Sequence, residues 1–134
     1  MSEVFTWPIR VYWEDTDAGG IVFYANYLKF FERARTEWLR ALGVAQSTLK
    51  DQGGMFVVSE TSVRYHAPSR LDDELLVTAQ LEASGRASLI IAQQARRGDT
   101  LLCDGTIRIG WVDAASLRPG RIPAAILQVL DTNA

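Results

Sequence analysis

Glu14-Asp15-Thr16-Asp17-Ala18-Gly19-Gly20-Ile21-Val22-Phe23-Tyr24 runs directly into Ala25-Asn26-Tyr27-Leu28-Lys29-Phe30-Phe31-Glu32-Arg33-Ala34-Arg35-Thr36-Glu37-Trp38-Leu39-Arg40-Ala41-Leu42-Gly43. In the second half, Leu28, Phe31, Ala34, Trp38 and Leu42 recur at helical spacing, and Phe30 and Leu39 widen the stripe. The pattern predicts an amphipathic helix over residues 26–42, with Asn26 as N-cap and Gly43 just past the C-terminus. Lys29, Glu32, Arg33, Thr36, Glu37 and Arg40 occupy much of the remainder, and Arg33, Arg35 and Arg40 beside Glu32 and Glu37 read as a salt-laced solvent face. About five turns of helix with one apolar face must lie on another apolar surface.

That surface is a sheet. Residues 5–13 read as a first strand, with Pro8 marking an edge or an early position. After a short helical turn at residues 47–52, capped by Ser47 and stopped by Gly53-Gly54, strand-like runs fall at 55–66, 74–84, 87–96 and 100–113. Hairpin signals stand at Ser84-Gly85-Arg86 and Arg97-Gly98-Asp99, and a short C-terminal helix is expected over residues 124–130. One long helix followed by consecutive strands implies an α+β domain, its curved antiparallel sheet wrapped around the helix. No linker or repeat divides the chain, so residues 1–134 are expected to form a single domain. Several strands are apolar at most positions, which one helix cannot cover. Association through edge-to-edge pairing of sheets, into at least a homodimer, is therefore expected.

Composition removes several function classes. Fourteen basic and 16 acidic side chains leave a net charge of −2, which favours neither nucleic acid nor an anionic membrane. The single cysteine, Cys103, excludes an intrachain disulfide and reads as a buried structural thiol in a reducing compartment. With one cysteine and one histidine, His66, no transition-metal spacing appears, and neither metal nor cofactor is expected. No signal-peptide pattern and no membrane-spanning apolar run is present, so a cytoplasmic location is expected.

The chemistry-bearing residues return to the opening stretch. Asp17 lies on a glycine-bearing turn, where it can attack a carbonyl or take a proton from water; a turn aspartate before glycine is the bland alternative. Backbone N–H groups near Tyr24, at the helix start, would stabilise an oxyanion. Gly20, Ile21 and Val22 are candidate substrate-binding positions, because Gly19-Gly20 lets the backbone approach a ligand closely. Glu14 and Asp15 are either solvated or, for Asp15, orient Asp17 or a substrate. Glu32 and Glu37 on the helix are rival bases. Arg70 and Arg86, in or near loops, are candidate partners for the phosphates of a nucleotide-bearing carrier.

The run from Arg10 through the Glu14–Asp17 acids, Gly19-Gly20 and Tyr24 to Trp38 resembles hotdog-fold acyl-CoA thioesterases of the 4-hydroxybenzoyl-CoA thioesterase type. It is most similar to the bacterial group associated with the Tol–Pal envelope system. Tyr65-His66-Ala67-Pro68-Ser69-Arg70-Leu71-Asp72-Asp73-Glu74-Leu75 continues the likeness. The resemblance implies a helix wrapped by about five strands, with active sites at a dimer interface and dimers often paired further into a homotetramer. It implies that Asp17 is nucleophile or base and that the Tyr24 N–H polarises the thioester carbonyl. Many Tol–Pal-associated members carry histidine at the Tyr24 position, whereas the 4-hydroxybenzoyl-CoA enzyme carries tyrosine.

The leading expectation is hydrolysis of short-chain or aromatic acyl-CoA to free acid and coenzyme A, with acyl carrier protein as an alternative donor. One rival is a dehydratase of hydroxyacyl thioesters working through His66. The other is a non-catalytic acyl-thioester or acyl-carrier-protein binding scaffold linked to envelope lipid metabolism.

Overall fold

A computed structural model describes residues 4–133. The elements run β1 (Phe5–Arg10), α1 (Asn26–Ala41), α2 (Gln46–Asp51), β2 (Gly54–Tyr65), β3 (Glu74–Ser84), β4 (Ser88–Arg97), β5 (Thr100–Asp113) and α3 (Ala124–Asn133). All five strands join one antiparallel sheet in the order β1-β3-β4-β5-β2. This is the α+β hotdog arrangement, a long helix held in a curved sheet. Pro8 lies on edge strand β1, where a missing N–H costs no ladder bond on the open side.

The inner face follows from alternation. Leu75, Val77 and Ala79 of β3, Leu89, Ile91 and Ala95 of β4, and Ile107 and Ile109 of β5 are buried. Phe30, Phe31, Ala34, Trp38 and Leu39 of α1 close on them. The backbone of the helix comes nearest to β1, β3 and β4, while Phe56 of β2 and Ile107 and Ile109 of β5 join the same core through their side chains. Ile122, Ile126 and Leu130 close the core at the other end of the chain. Among the described residues no helix is long and apolar enough to cross a membrane.

Local details differ from expectation. The first strand stops at Arg10, because Val11 bonds to the loop before β3 (N–H to Asp73 O 2.9 Å, O from Asp72 N 3.0 Å) and a 3-10 turn follows at Trp13–Asp15. Asn26 is not the N-cap of α1. Ala25 is, and makes no side-chain cap, because Asn26 turns inward to a buried carboxylate. Likewise Ala45, not Ser47, precedes α2. Leu28 is 40% exposed and Arg35 is buried, the reverse of the expected faces. By period Arg35 stands one turn beyond Phe31, within the stripe. Its charge is accommodated by Gln93, whose Oε1 accepts from Arg35 Nη1 at 2.9 Å.

Candidate active site

Asp17 opens a tight turn. Gly20 N donates to Asp17 O at 3.0 Å, with Gly20 at a φ of 81° that favours glycine. Thr16 and Val22 then pair as an isolated bridge, and Asp17 N donates to Ile21 O at 2.8 Å. The Asp17 carboxylate is exposed, and its Oδ1 accepts from Gly19 N (2.8 Å) and at longer range from Ile21 N (3.4 Å). Among the described residues nothing bonds to Oδ2. The turn-aspartate geometry therefore exists, and it holds a carboxylate with one oxygen free.

Asp15 is the opposite case. It is 3% exposed, so not solvated, and its carboxylate bonds to groups other than Asp17. Its Oδ1 accepts from Asn26 Nδ2 at 2.7 Å and its Oδ2 from Tyr12 N at 2.7 Å, while its carbonyl accepts from Phe23 N at 2.9 Å. These bonds tie the acidic turn to the start of α1. The amides of Tyr24 and Ala25 follow directly and, among the described residues, donate to no protein acceptor. Two main-chain donors thus remain at the positive end of the helix.

Beside them lies a cleft of about 280 Å³ lined by Ile21, Val22, Tyr24, Tyr27, Tyr65, His66, Ala67 and Pro68. Asp17 and Gly20 are not among its lining residues; Asp17 stands one backbone hydrogen bond from Ile21. Strand β2 delivers the far wall. Tyr65 donates its hydroxyl to Tyr24 O at 2.8 Å, and Tyr27 shares a 2.6 Å hydrogen bond with Ser69. Burial pushes the phenols of Tyr27 and Tyr65 above the ordinary value, so both stay protonated donors. His66 pairs with Asp104. His66 lies some forty residues beyond the helix start in the chain, yet the fold brings both to one cleft. The Tyr65-His66-Ala67-Pro68 run was the available signal.

The candidate arginines separate. The Arg70 backbone bridges to Ile21, and its N–H donates to Asp73 Oδ2 at 2.8 Å, so this loop flanks the cleft. Arg86 lies in the β3–β4 turn, at the opposite end of β4 from the strand residues that meet Cys103 beside Tyr65. A single chain does not bring Arg86 to the site. Glu37 pairs with Arg40 on the helix surface, away from the cleft, and Glu32 also lies outside its lining. Cys103 is fully buried, and desolvation, followed by the neighbouring Asp104 charge, pushes its thiol up to about 12. It is an inert core residue. Among the described residues no cluster of side chains could hold a metal ion.

A family model described as the thioesterase-like superfamily matches residues 11–130. The acyl-CoA thioester hydrolase YbgC of Escherichia coli O6:H1 is 40% identical over 127 residues, covering 94% of this chain and 95% of that protein. The acyl-CoA thioesterase YbgC of Haemophilus influenzae is 40% identical over 123 residues, covering 91% and 90%. Among solved structures, a probable thioesterase from Bartonella henselae superposes with a TM-score of 0.85 at 29% identity, covering 90% of this chain and 100% of that one. A match over nearly the whole sheet and helix, together with a turn-held carboxylate and free amides at a helix start, has one reading at the level of family: the chain belongs to the thioesterase-like superfamily.

Proposed function

We propose that the protein hydrolyses acyl-CoA thioesters, with Asp17 as nucleophile or general base. The observations that carry this reading are an uncommitted Asp17 oxygen on the turn that leads through Ile21 and Val22 to the helix start, and unpartnered amides at Tyr24 and Ala25 there. The thioester carbonyl oxygen would accept from these amides, which stabilise the negative charge formed on attack. In the general-base route Asp17 takes a proton from water, the hydroxyl oxygen bonds to the acyl carbon, and the carbon–sulfur bond breaks. The leaving thiolate then takes up a proton. In the nucleophilic route an Asp17 oxygen bonds to the acyl carbon as the carbon–sulfur bond breaks, the thiolate leaves and takes up a proton, and water then hydrolyses the mixed anhydride to the free acid and the Asp17 carboxylate. Ile21, Val22 and Tyr24 would contact the acyl thioester, and Gly20 would give it room. Arg70 would meet the coenzyme A phosphates. Arg86 would do so only from a second copy. The Tyr24 side chain is dispensable to a main-chain role, which is compatible with tyrosine or histidine there.

The same reading holds residues 1–134 as one domain acting in the cytoplasm on short-chain or aromatic acyl groups, carried by coenzyme A or acyl carrier protein. Exposed Val58 and the open edge of β2 support a homodimer or a larger assembly. A sedimenting mass of 14.9 kDa at assay concentration would count against that assembly. The link to a Tol–Pal envelope system rests on the resemblance of the helix-start motif.

The decisive experiment is Asp17→Asn, assayed by thiol release from short-chain and aromatic acyl-CoA. Turnover should fall by about 10²–10⁴-fold with the melting temperature unchanged. Wild-type rates in a folded variant would remove the mechanism. Tight acyl-CoA binding by the wild type with no thiol released would instead establish the scaffold role.

A further inference from the structure

Strand β2 ends on a tyrosine that reaches the start of α1. The Tyr65 hydroxyl donates to the main-chain oxygen of Tyr24 at 2.8 Å, across 41 residues of chain. That oxygen is available because the first turn of the helix is tight. Asn26 N donates to Phe23 O at 2.8 Å and Leu28 N to Ala25 O at 3.1 Å, each three residues back. Leu28 thereby leaves the Tyr24 carbonyl that a regular α-helical turn would give it, and among the described residues the partner of Tyr24 O is Tyr65. The hydroxyl is held from several sides. Tyr65 pairs with Cys103 in the β2–β5 ladder, and the next amide, His66 N, donates to Leu102 O at 2.8 Å. The Tyr65 ring meets the Tyr24 ring edge-on (centroids 6.2 Å) and leans on Tyr27 (5.9 Å), which is tied in turn to Ser69. Both Tyr24 and Tyr65 are exposed, so the bond adds little to stability that water would not.

Its effect falls on the far side of one peptide. Tyr24 C=O and Ala25 N–H belong to the same planar trans amide and point opposite ways. A donor on the oxygen draws electron density from the nitrogen and leaves the N–H more positive; linked hydrogen bonds strengthen one another by about 10–30% each. The same bond fixes the plane, and so the direction of the N–H, before any ligand arrives. The Tyr24 N–H belongs to the preceding peptide, whose carbonyl, Phe23 O, accepts from Asn26 N. Each of the two unpartnered amides is therefore backed by a hydrogen bond on its own carbonyl. For Tyr24 the backbone supplies that bond. For Ala25 the Tyr65 side chain does.

We propose that Tyr65 is a positioning residue for thioester hydrolysis: by donating to Tyr24 O it aims and polarises the Tyr24–Ala25 peptide, making Ala25 N–H a second donor to the thioester oxygen beside Tyr24 N–H. The proposal rests on the hydrolase reading above and adds this second donor and the group that sets it. Tyr65 itself touches no reacting atom. Its influence grows as negative charge develops on the oxygen, so it bears on kcat more than on KM.

The test is Tyr65→Phe, which removes the hydroxyl and keeps the ring. With an acyl-CoA that the wild type hydrolyses, kcat should fall about three- to tenfold while KM stays within about twofold, short of the roughly 10²–10³-fold cost of deleting an oxyanion donor outright. In ¹H–¹⁵N spectra of the variant the Ala25 amide proton and nitrogen should move upfield, a change that a merely structural hydroxyl would not cause. An unchanged kcat would overturn the proposal, as would a rise in KM alone, or a fall in kcat with the Ala25 resonance unmoved. Should the variant fail to fold, the wild type decides. An acyl-CoA analogue with methylene in place of the thioester sulfur presents a ketone oxygen, and its binding should move the Ala25 amide proton downfield. An Ala25 amide that stays in place with the ketone bound overturns the proposal. If the hydrolase reading fails, the wild type releases no thiol from any acyl-CoA and this proposal falls with it. If this proposal alone fails, hydrolysis that depends on Asp17 persists.

Discussion

Asp15 and Asp17 stand two positions apart, and the fold treats them in opposite ways. Asp15 is buried with three bonding partners, while Asp17 is exposed with one oxygen uncommitted. Asp15→Ala strands the buried Asn26 amide and the Tyr12 N–H, so about 2–4 kcal/mol of stability should be lost in urea unfolding. Activity should fall with it, because the same carboxylate sets the turn before Tyr24. Asp17→Ala removes no buried partner and should leave the unfolding midpoint nearly unchanged. Equal losses in the two variants would contradict this division. The sequence marked both acids as candidates but not which one turned inward, since neighbouring carboxylates in a turn look alike until the helix start closes over one. Arg35 carried the same ambiguity. Its position fits the buried stripe, yet a charged head was assigned to solvent, and only the β4 partner Gln93 resolves it.

At the scale of elements, periodicity was the legible part. The long helix, four of the five strands and both hairpins lie within a residue or two of their expected bounds, because alternation and helical spacing are local signals. The first strand was read too long for a reason outside it: Val11 pairs with a loop some sixty residues onward. Turn chemistry was equally hidden at the end of β5. There Asp113 accepts from Ser116 N (2.7 Å) and Ala115 N (3.1 Å), and Ser116 holds its carboxyl below the ordinary aspartate value of 3.8. A depressed folded pKa contributes stability above the unfolded value, which is lost as the pH falls through the folded one. Asp113→Ala should therefore lower the urea midpoint at pH 7, and its gap from the wild type should narrow as the pH drops below 3.8. A gap independent of pH would exclude the carboxylate as the source. Gly54 gives a second check on the neighbouring strand start. A Cβ there would lie 2.1 Å from the Trp111 ring, so Gly54→Ala should cost about 1–3 kcal/mol in the same unfolding assay.

For the molecule as a whole, the strand order β1-β3-β4-β5-β2 sets which parts depend on which. Strands β3, β4 and β5 follow one another in sequence and pair as hairpins, so little chain must be closed to form them. Strands β1 and β2 pair with β3 and β5 only across long intervening segments. The candidate cleft is built where these long-range additions end, from Tyr65 at the tip of β2 and the turn that follows β1. Loop closure therefore predicts that the pieces carrying the cleft dock after the β3–β4–β5 meander and loosen before it. In mild urea, thiol release should decline before the far-ultraviolet circular dichroism of the sheet changes, and amides of β4 should outlast those near Tyr65 in hydrogen exchange. Simultaneous loss of both signals would show the meander and its two flanking strands to be one cooperative block.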